Sequence, residues 1–305
     1  MMKSPRTSRR AGTVSKEKSS LPRITVIGLG NWGTSLVSAL LSAGFPIGEV
    51  VVRRLPERAS RGLHLTTIDE ATLDAPILWI CVPDGAIAEV CEALVARRWE
   101  LGQTLENQIV LHSSGVRTIE VLAAASEAGA QTAAVHPLMT FPTRKPVTLV
   151  GAPFAVESSS ALRRRLFLLV RRLHGEPFRI DSSDKILYHA AATLASPLLL
   201  SSLVAAQSAA MLAGLSANQA TRLLAPIAAS TVQNFISSGA RESFSGPIAR
   251  GDIATIQLHL QALAAHPILA DVYRSLAIHA LESLPVRKRE EMWRVLTVGA
   301  DASTL

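Results

Sequence analysis

Apolar positions in the first half of the chain follow two spacings, one typical of buried strands and one typical of helices. The run RITVIGLG is short, apolar and ends in glycines, and WGTSLVSALLSAG after it has the period of an amphipathic helix. The same alternation continues through GEVVVRR, APILWICVP, AIAEVCEALVARRW, NQIVLHSSG, a helix over Thr118–Ala128, QTAAVHP, APFAVE and ALRRRLFLLVRRLHG. Strands that alternate with helices of this length predict a parallel sheet covered by helices on both faces.

After residue 182 the strand signals stop and only helical patterns remain. We predict helices over Asp184 to about Ala213, Ser216–Ser238 and Ile253–Ala265, with two more before the C-terminus. The change from alternating to all-helical patterning places a domain boundary near residues 181–183. The chain is therefore expected to have an α/β domain at 21–182 and a helical domain at 183–305.

An uncharged segment from Ala190 to Thr221 is long enough to be weighed as a membrane span. It contains several polar residues and a proline, and it lacks an aromatic belt and a flanking basic cluster. We therefore expect no membrane partner. The segment is predicted to be a helix buried on all sides, either in a helical domain or in the subunit interface of a homodimer.

Most of the formal net charge of +7 lies in the N-terminal tail. The first twenty residues hold six lysines and arginines and one acidic residue, which leaves a net charge of about +2 for the rest. We therefore expect no nucleic-acid partner. Residues 1–20 are predicted to be a disordered basic tail, with a transit-type leader as the alternative. Cys81 and Cys91 lack metal-ligand spacing, which favours a reducing, cytoplasmic location.

The motif GLGNWG (Gly28, Gly30, Asn31, Trp32 and Gly33) follows a predicted strand and opens a predicted helix. This context is that of a dinucleotide fingerprint. Its first glycine allows a tight turn, its second lets the backbone approach a pyrophosphate, and its third lets the helix pack against the strand. The pyrophosphate would lie at the N-terminus of the helix, where amide groups favour an anion. We predict a Rossmann-type doubly wound sheet that binds a dinucleotide, the alternative being a purely structural turn.

Two arginines, Arg53 and Arg54, follow the second predicted strand. An NAD site would place an acidic residue there for the ribose hydroxyls, whereas guanidinium groups suit the 2′-phosphate of NADP. We therefore predict NADP rather than NAD, a solvated basic loop being the alternative. Val82 and Pro83 end another strand and are expected to border the cofactor cleft.

In their joint order, the motifs VIGLGNWG, ILWICVPDGAI, VLHSSG, AVHPLMTFP, DKILYHAAATLAS and SGPIARGD resemble a bacterial family of two-domain proteins. That family joins an N-terminal Rossmann-like domain to a C-terminal helical domain of unknown function. The resemblance runs from about Arg23 to the last helices. It implies kinship with ketopantoate reductase, pyrroline-5-carboxylate reductase, 6-phosphogluconate-dehydrogenase-like enzymes and deazaflavin-linked NADP oxidoreductases, all of which handle a nicotinamide between two such domains.

The resemblance also implies roles for two residues at the start of the second domain. In hydroxyacid-dehydrogenase relatives a lysine opens this helix and faces the nicotinamide, and Lys185 matches that lysine by placement. An asparagine often follows one turn later, whereas this chain has His189. Residues four apart share a helix face, so both side chains are expected to point into one cleft. Lys185 is predicted to be the general acid and His189 to orient the substrate.

Four further residues are candidates for lining the cleft. Ser113 and Ser114 follow one strand and His136 ends another, so each is predicted either to be a proton donor or substrate contact or to satisfy loop backbone. Arg250 is predicted to clamp a substrate carboxylate, and Asp252 to cap the helix that follows it.

The predicted function is that of an NADP-dependent oxidoreductase acting on a small 2-oxo acid. The resemblance makes 2-dehydropantoate the first substrate to consider. The alternatives are reduction of a cyclic imine such as pyrroline carboxylate, and a sensor that binds NADP without turnover.

Overall fold

The computed structural model describes residues 21–57 and 62–297, so the basic tail and Arg58 lie outside the described residues. The chain divides into two compact units between Ala192 and Thr193. The predicted boundary at 182/183 lies earlier, at the start of the helix that ends the first unit.

The first unit contains an eight-stranded sheet in the order β3-β2-β1-β4-β5-β6-β7-β8. The strands are β1 (Ile24–Ile27), β2 (Ile47–Val51), β3 (Leu65–Thr66), β4 (Ile77–Ile80), β5 (Ile109–His112), β6 (Gln131–Pro137), β7 (Pro153–Ser158) and β8 (Glu176–Arg179). The first six are mutually parallel, as predicted, but β7 runs antiparallel to β6 and β8 parallel to β7. The predicted parallel sheet is therefore confirmed, with one antiparallel pairing at the β6–β7 edge, beyond which lies β8, a strand that the sequence pattern did not predict.

Helices cover both faces of this sheet, as the pattern predicted. They are α1 (Asn31–Ser42), α2 (Ile87–Glu100), α3 (Ala123–Glu127) and α4 (Ser160–Arg172). After β8 comes α5 (Lys185–Thr193), and 3-10 turns lie at Asp84–Ala86, Ile119–Leu122 and Ser182–Asp184. Trp79 and Leu78 are neighbours in β4 and are both fully buried, Trp79 in a core shared with α1 and α4, and Leu78 in one shared with α2. Successive strand residues point to opposite faces, which is why one strand contributes to both cores.

The second unit is helical. Its elements are a π-helical turn (Leu194–Leu198), α6 (Leu199–Leu212), α7 (Ala217–Ser243), α8 (Gly246–Arg250), α9 (Ile253–Leu263), α10 (Pro267–Ser283) and α11 (Arg289–Thr297). The single helix predicted over Asp184 to about Ala213 is thus α5, the π-helical turn and α6. Pro197 lies in that turn and has no backbone N–H to donate, which explains the wider local winding.

The helix predicted to end at Ser238 does lose helical geometry there. Gly239 has φ 80° and ψ 172°, so α7 is broken at this glycine before it resumes. A small core of Ile256, Leu281 and Met292 joins α9, α10 and α11.

The surface of α6 and α7 shows that the predicted helix is not buried within its own chain, which leaves burial in a subunit interface as the open alternative. The segment Ser182–Leu212 has a mean hydropathy of 1.4 and is long and apolar enough to cross a membrane, yet none of its apolar window is buried in the chain. Large apolar side chains on α6 and on α7, among them Leu200 and Phe235, are exposed. A lone chain therefore leaves an extended apolar surface on these two helices.

Candidate functional site

The glycines of the fingerprint form a close turn between β1 and α1. Gly28 has φ 104°, and a Cβ built on it would lie 2.6 Å from the carbonyl oxygen of Cys81. A Cβ on Gly33 would lie 2.0 Å from the carbonyl oxygen of Gly28, so the helix meets the strand only because both residues are glycine. A Cβ on Gly30, in contrast, would meet nothing within 4 Å. Gly30 therefore faces open space, which is where a pyrophosphate would approach the backbone.

The N-terminus of α1 has no side-chain cap and presents only backbone amides. Gly30 is the N-cap and no side chain caps the helix, so the first amides have no intrahelical acceptor. Asn31 and Trp32, predicted to bind cofactor, use their side chains elsewhere: the Asn31 amide donates to the carbonyl oxygen of Phe141 at 2.8 Å, and the Trp32 ring packs on Phe141 at 5.0 Å between centroids. Their side chains are thus engaged within the fold, and the amides at the start of the helix are left for an anion such as a dinucleotide pyrophosphate.

The other predicted cofactor residues lie at the same edge of the sheet. Arg53 and Arg54 are exposed just after β2, and Val82 and Pro83 follow β4. Carboxyl ends of parallel strands share one edge, so these residues and the glycine turn lie at the same edge of the sheet. Sequence spacing alone had placed them there.

The loop after β5 is held together by its own polar groups. His112 is fully buried; its Nδ1 accepts from the Ser114 amide at 3.1 Å and its Nε2 lies 3.2 Å from the Thr118 carbonyl oxygen. The Ser114 hydroxyl accepts from the amides of Val116 and Arg117. Ser114 therefore satisfies loop backbone, the alternative left open for it, and its predicted contact with the substrate stays a prediction.

Ser113 is half-buried in the loop after β5. Its hydroxyl accepts a hydrogen bond from the indole N–H of Trp79 at 2.7 Å, and it is also hydrogen-bonded to the Cys81 thiol. Burial raises the pKa of that thiol well above its usual range, so Cys81 stays protonated. Ser113 thus links β4 to β5, and its predicted catalytic role stays a prediction.

A cluster of three rings lies at the carboxyl ends of β5 and β6. His136 Nδ1 lies 2.8 Å from the Tyr188 hydroxyl, with the two rings edge-on at 5.6 Å between centroids. The His189 ring lies 6.2 Å from the His136 ring, also edge-on. A Cβ on Gly115 would lie 2.6 Å from His189 Cδ2 and 2.8 Å from His136 Nε2. The absence of a side chain at Gly115 therefore lets the two imidazoles come together.

Lys185 does not share this surface with His189. Its side chain is only 2% exposed, and its Nζ donates to Glu157 Oε2 at 2.9 Å. Glu157, on β7, also accepts from the Ser182 hydroxyl at 2.6 Å and from the Ile119 amide at 3.1 Å. The expectation that Lys185 and His189 both point into one cleft is corrected for Lys185, because its ammonium is bound to a buried carboxylate.

Burial controls the protonation of these groups. It lowers the pKa of His136 to about 4, with help from the charges of His189 and Lys185. It lowers the pKa of His112 to about 4 as well, and the Lys185 charge adds to that shift. Burial alone raises the pKa of Tyr188 to about 12. The His136–Tyr188 pair is therefore a neutral imidazole beside a neutral phenol at neutral pH.

The buried ion pair keeps its charges for a different reason. Burial acts to raise the pKa of Glu157, but hydrogen bonds from Ser182 and Lys185 outweigh it and lower the pKa. Burial lowers the pKa of Lys185, and Glu157 opposes that effect. We take the pair as charged, because each partner supplies the hydrogen bond that the other needs.

Arg250 belongs to the helical unit. It is exposed at a hollow of about 660 Å³ whose other basic residues are Arg287 and Arg289. Asp252 caps α9, accepting from the Thr255 amide at 3.2 Å, as predicted. The role of Arg250 as a carboxylate clamp stays a prediction. Among residues 21–57 and 62–297, no group of three or more histidines, cysteines and acidic residues is arranged to hold a metal ion.

The sequence reasoning missed Glu157 and Tyr188. Glu157 ends the apolar run APFAVE, where an acidic residue in a buried strand is itself a signal that a basic partner exists. Tyr188 lies between Lys185 and His189 in DKILYHAA, and only its distance to a residue 52 positions away gives it significance.

A mostly parallel sheet with a glycine turn at its ligand-binding edge defines this chain as a Rossmann-type protein with an added helical unit. Two family models agree: residues 6–137 match the Rossmann-like domain, and residues 152–280 match DUF2520, a domain of unknown function. The chain is a two-domain protein that joins these two domains, as its motifs predicted. No match was found among curated proteins.

Solved structures share this fold at low sequence identity. A Bacteroides fragilis protein designated an NADP oxidoreductase is 22% identical, with a TM-score of 0.68 over 85% of this chain and 97% of that one. A reductive aminase of Aspergillus terreus in complex with NADPH and ethyl-5-oxohexanoate is 19% identical, with a TM-score of 0.61 over 89% and 98%. Plasmodium falciparum pyrroline carboxylate reductase with NADP bound is 14% identical, with a TM-score of 0.57 over 90% and 98%.

Proposed function

We propose that this protein is an NADP-dependent oxidoreductase that reduces a small carbonyl or imine compound. The observation that carries the proposal is the glycine cradle, in which Gly28 and Gly33 leave no room for a side chain while Gly30 faces open space. Neighbours of the same fold that were solved with NADPH or NADP support this choice of cofactor.

The residues present fit such a cofactor in two places. The backbone amides at the start of α1 would hold the pyrophosphate. The exposed guanidinium groups of Arg53 and Arg54 after β2 would hold the 2′-phosphate, and their charge favours NADP over NAD. When bound, NADPH supplies a hydride to an electrophilic carbon. The chain must then orient that carbon, exclude water and provide a proton.

For the substrate we propose a small 2-oxo acid, with 2-dehydropantoate to be tried first. A cyclic imine is the second candidate, and the pyrroline carboxylate reductase of the same fold favours testing it. Arg250 is the proposed carboxylate contact for either compound, because a guanidinium pairs with a carboxylate through two hydrogen bonds.

We assign Lys185 to a positioning role. A general acid must present its proton to the substrate, whereas the Lys185 ammonium is buried and bound to Glu157. The ion pair instead joins the start of α5 to β7. This fixes the helix face that carries Tyr188 and His189.

We further propose a cytoplasmic homodimer in which a second copy covers the exposed apolar faces of α6 and α7. The exposed residues on these helices include Leu200, Leu203, Val204, Leu223, Ile227, Val232, Phe235 and Ile236. A surface this apolar is typical of obligate interfaces.

The proposed function is tested by mixing purified protein with NADPH and a panel of 2-oxo acids and cyclic imines, and following the loss of nicotinamide absorbance. We expect turnover of one class, with a much lower rate when NADH replaces NADPH. Tight NADPH binding with no oxidation across the panel would instead favour a sensor.

A further inference from the structure

The two tyrosines of this chain are both paired with a histidine, but in different surroundings. Tyr188 Oη lies 2.8 Å from His136 Nδ1 at the carboxyl end of β6, on the edge of the sheet where the parallel strands end. Tyr273 Oη lies 3.0 Å from His259 Nδ1 on the helical unit, with nearly the same edge-on ring geometry. The pairing by itself is therefore no evidence of function. What distinguishes Tyr188 from Tyr273 is its position at the carboxyl end of a sheet strand.

Several other polar groups near the His136 ring have hydrogen-bond partners within the fold. Lys185 is bound to Glu157, and both ring nitrogens of His112 have backbone partners. The hydroxyls of Ser113 and Ser114 accept from Trp79 and from loop amides. Tyr188 is half-buried, and its hydroxyl needs only one of its two hydrogen-bonding roles for His136.

We propose that Tyr188 is the proton donor of the reduction and that His136 holds its hydroxyl in place. This inference rests on the proposed function. The role requires the His136 tautomer with the proton on Nδ1, so that Nδ1–H donates to Tyr188 Oη and the phenolic proton is free to point at the substrate.

With a carbonyl substrate, the reduction combines hydride addition to carbon with proton transfer to oxygen. The carbon receives the hydride, and the π electron pair of the C=O bond moves to oxygen. A new O–H bond forms with the phenolic proton while the Tyr188 O–H bond breaks, leaving a phenolate. The Nδ1–H of His136 stabilises the phenolate until water reprotonates it after product release. Tyr188 has a pKa of about 12 and so remains a protonated donor at neutral pH, and an alkoxide is a strong enough base to take its proton.

The Glu157–Lys185 pair acts through Tyr188 as a positioning device. Lys185 precedes Tyr188 by three residues on α5, so anchoring it to β7 fixes the rotation of the turn that carries the phenol. The Ser182 hydroxyl and the Ile119 amide bind the same carboxylate, which ties three chain segments to that anchor.

The test compares Tyr188→Phe with the matched control Tyr273→Phe in the full-length protein. We expect Tyr188→Phe to lower kcat about 100-fold or more with the affinity for NADPH unchanged, since positioned proton donors contribute factors of this size. Tyr273→Phe is expected to retain wild-type kcat and NADPH affinity.

A second measurement does not depend on turnover. Nitrogen-15 NMR of the histidine rings in the NADPH complex should show His136 protonated on Nδ1, and Glu157→Gln should change the His136 signals as well as lower kcat. If Glu157 had only a structural role, the substitution would lower the unfolding free energy and leave those signals in place.

The outcomes separate the two claims. An active wild type with an active Tyr188→Phe, or a His136 protonated on Nε2, would overturn the assignment of Tyr188 and leave the reductase intact. A wild type that binds NADPH but turns over no compound would overturn the proposed function and the assignment with it.

Discussion

Gly30 and Gly33 belong to one motif, but their surroundings differ. A side chain on Gly33 would overlap the Gly28 carbonyl oxygen, whereas a side chain on Gly30 would reach only open space. Gly33 is therefore needed by the fold, and Gly30 by whatever approaches that space.

We predict opposite results for alanine at these two positions. Gly30→Ala should fold with wild-type stability and lose NADPH affinity by 10-fold or more, because its methyl group would occupy the cradle. Gly33→Ala should lower the unfolding free energy by more than about 2 kcal/mol, because backbone must move. Urea denaturation and NADPH fluorescence titration measure the two effects. A stable Gly33→Ala, or a Gly30→Ala that binds NADPH normally, would contradict this assignment.

His112 and His136 make the folded protein sensitive to mild acid. Each has a pKa lowered from 6.5 to about 4, so the unfolded chain binds protons below pH 6.5 that the folded chain does not. Stability is therefore complete above pH 6.5 and falls as the pH drops toward 4. Glu157, whose pKa is also lowered, adds a loss in the same direction below its ordinary value of 4.5.

We predict that the unfolding free energy falls by about 3 kcal/mol for the fully buried His112 between pH 6.5 and 4. Urea denaturation across this range checks the slope. His112→Asn, whose own stability is reduced, should show a shallower pH dependence than wild type. Identical slopes in the two proteins would show that His112 is not the group responsible.

At the scale of elements, we expect the residues at the carboxyl end of β2 to set the preference between NADP and NAD. Arg53 and Arg54 are exposed there with no acidic residue in the short segment before Glu57. Exposed guanidinium groups next to a nucleotide cradle favour a phosphate over bare ribose hydroxyls.

We predict that the double substitution Arg53→Ala and Arg54→Ala weakens NADPH binding at least 10-fold and changes NADH binding little. Isothermal titration with both nucleotides measures the ratio, and Arg164→Ala, an exposed arginine on α4, provides a surface-charge control. Equal losses for both nucleotides would mean that the arginines do not recognise the 2′-phosphate.

The helical stretch from Lys185 to Leu212 is one pattern in the sequence and three elements in the structure. Pro197 interrupts its hydrogen bonding and produces the π-helical turn. Before that turn, α5 is tied to the sheet unit by the Lys185–Glu157 pair and the Tyr188–His136 contact. These contacts, formed by side chains far apart in sequence, explain why the compact unit ends at Ala192 rather than at the predicted boundary.

At the scale of the whole molecule, the exposed apolar surface of α6 and α7 is the main feature that one chain leaves unexplained. The described core of the helical unit lies among α9, α10 and α11, and α6 and α7 contribute few buried residues. An apolar surface of this extent is costly in water unless another surface covers it.

We predict that Phe235→Glu on α7 converts a dimer into monomers, because it places a charge in the proposed interface. Leu168→Glu on α4 replaces an equally exposed apolar residue of the sheet unit and should leave the dimer intact. Sedimentation equilibrium at micromolar concentration distinguishes the two states. A monomeric wild type that binds lipid vesicles would instead indicate a membrane surface as the partner.

Most of the fold followed from local pattern, and the candidate site followed in part. The glycine fingerprint, the arginines after β2, both helix-covered sheet faces and the Asp252 cap were all predicted, because each depends on spacing within one or two elements. The sequence pattern did not predict the antiparallel direction of β7, the strand β8 or the pairing of Glu157 with Lys185. They depend on which distant segments meet, and EPFR in β8 has no alternation that marks a strand.

The sequence by itself determined the alternation of strands and helices, the helical second unit and the dinucleotide turn, since these depend on the period of hydrophobic positions and on glycine geometry. Only the tertiary structure decided which polar side chains pair. It buried Lys185 against Glu157 and placed Tyr188 on His136. Such pairings depend on sheet order and on helix rotation. The paired residues are separated by 28 and by 52 positions, and no local sequence pattern indicates that they will be in contact.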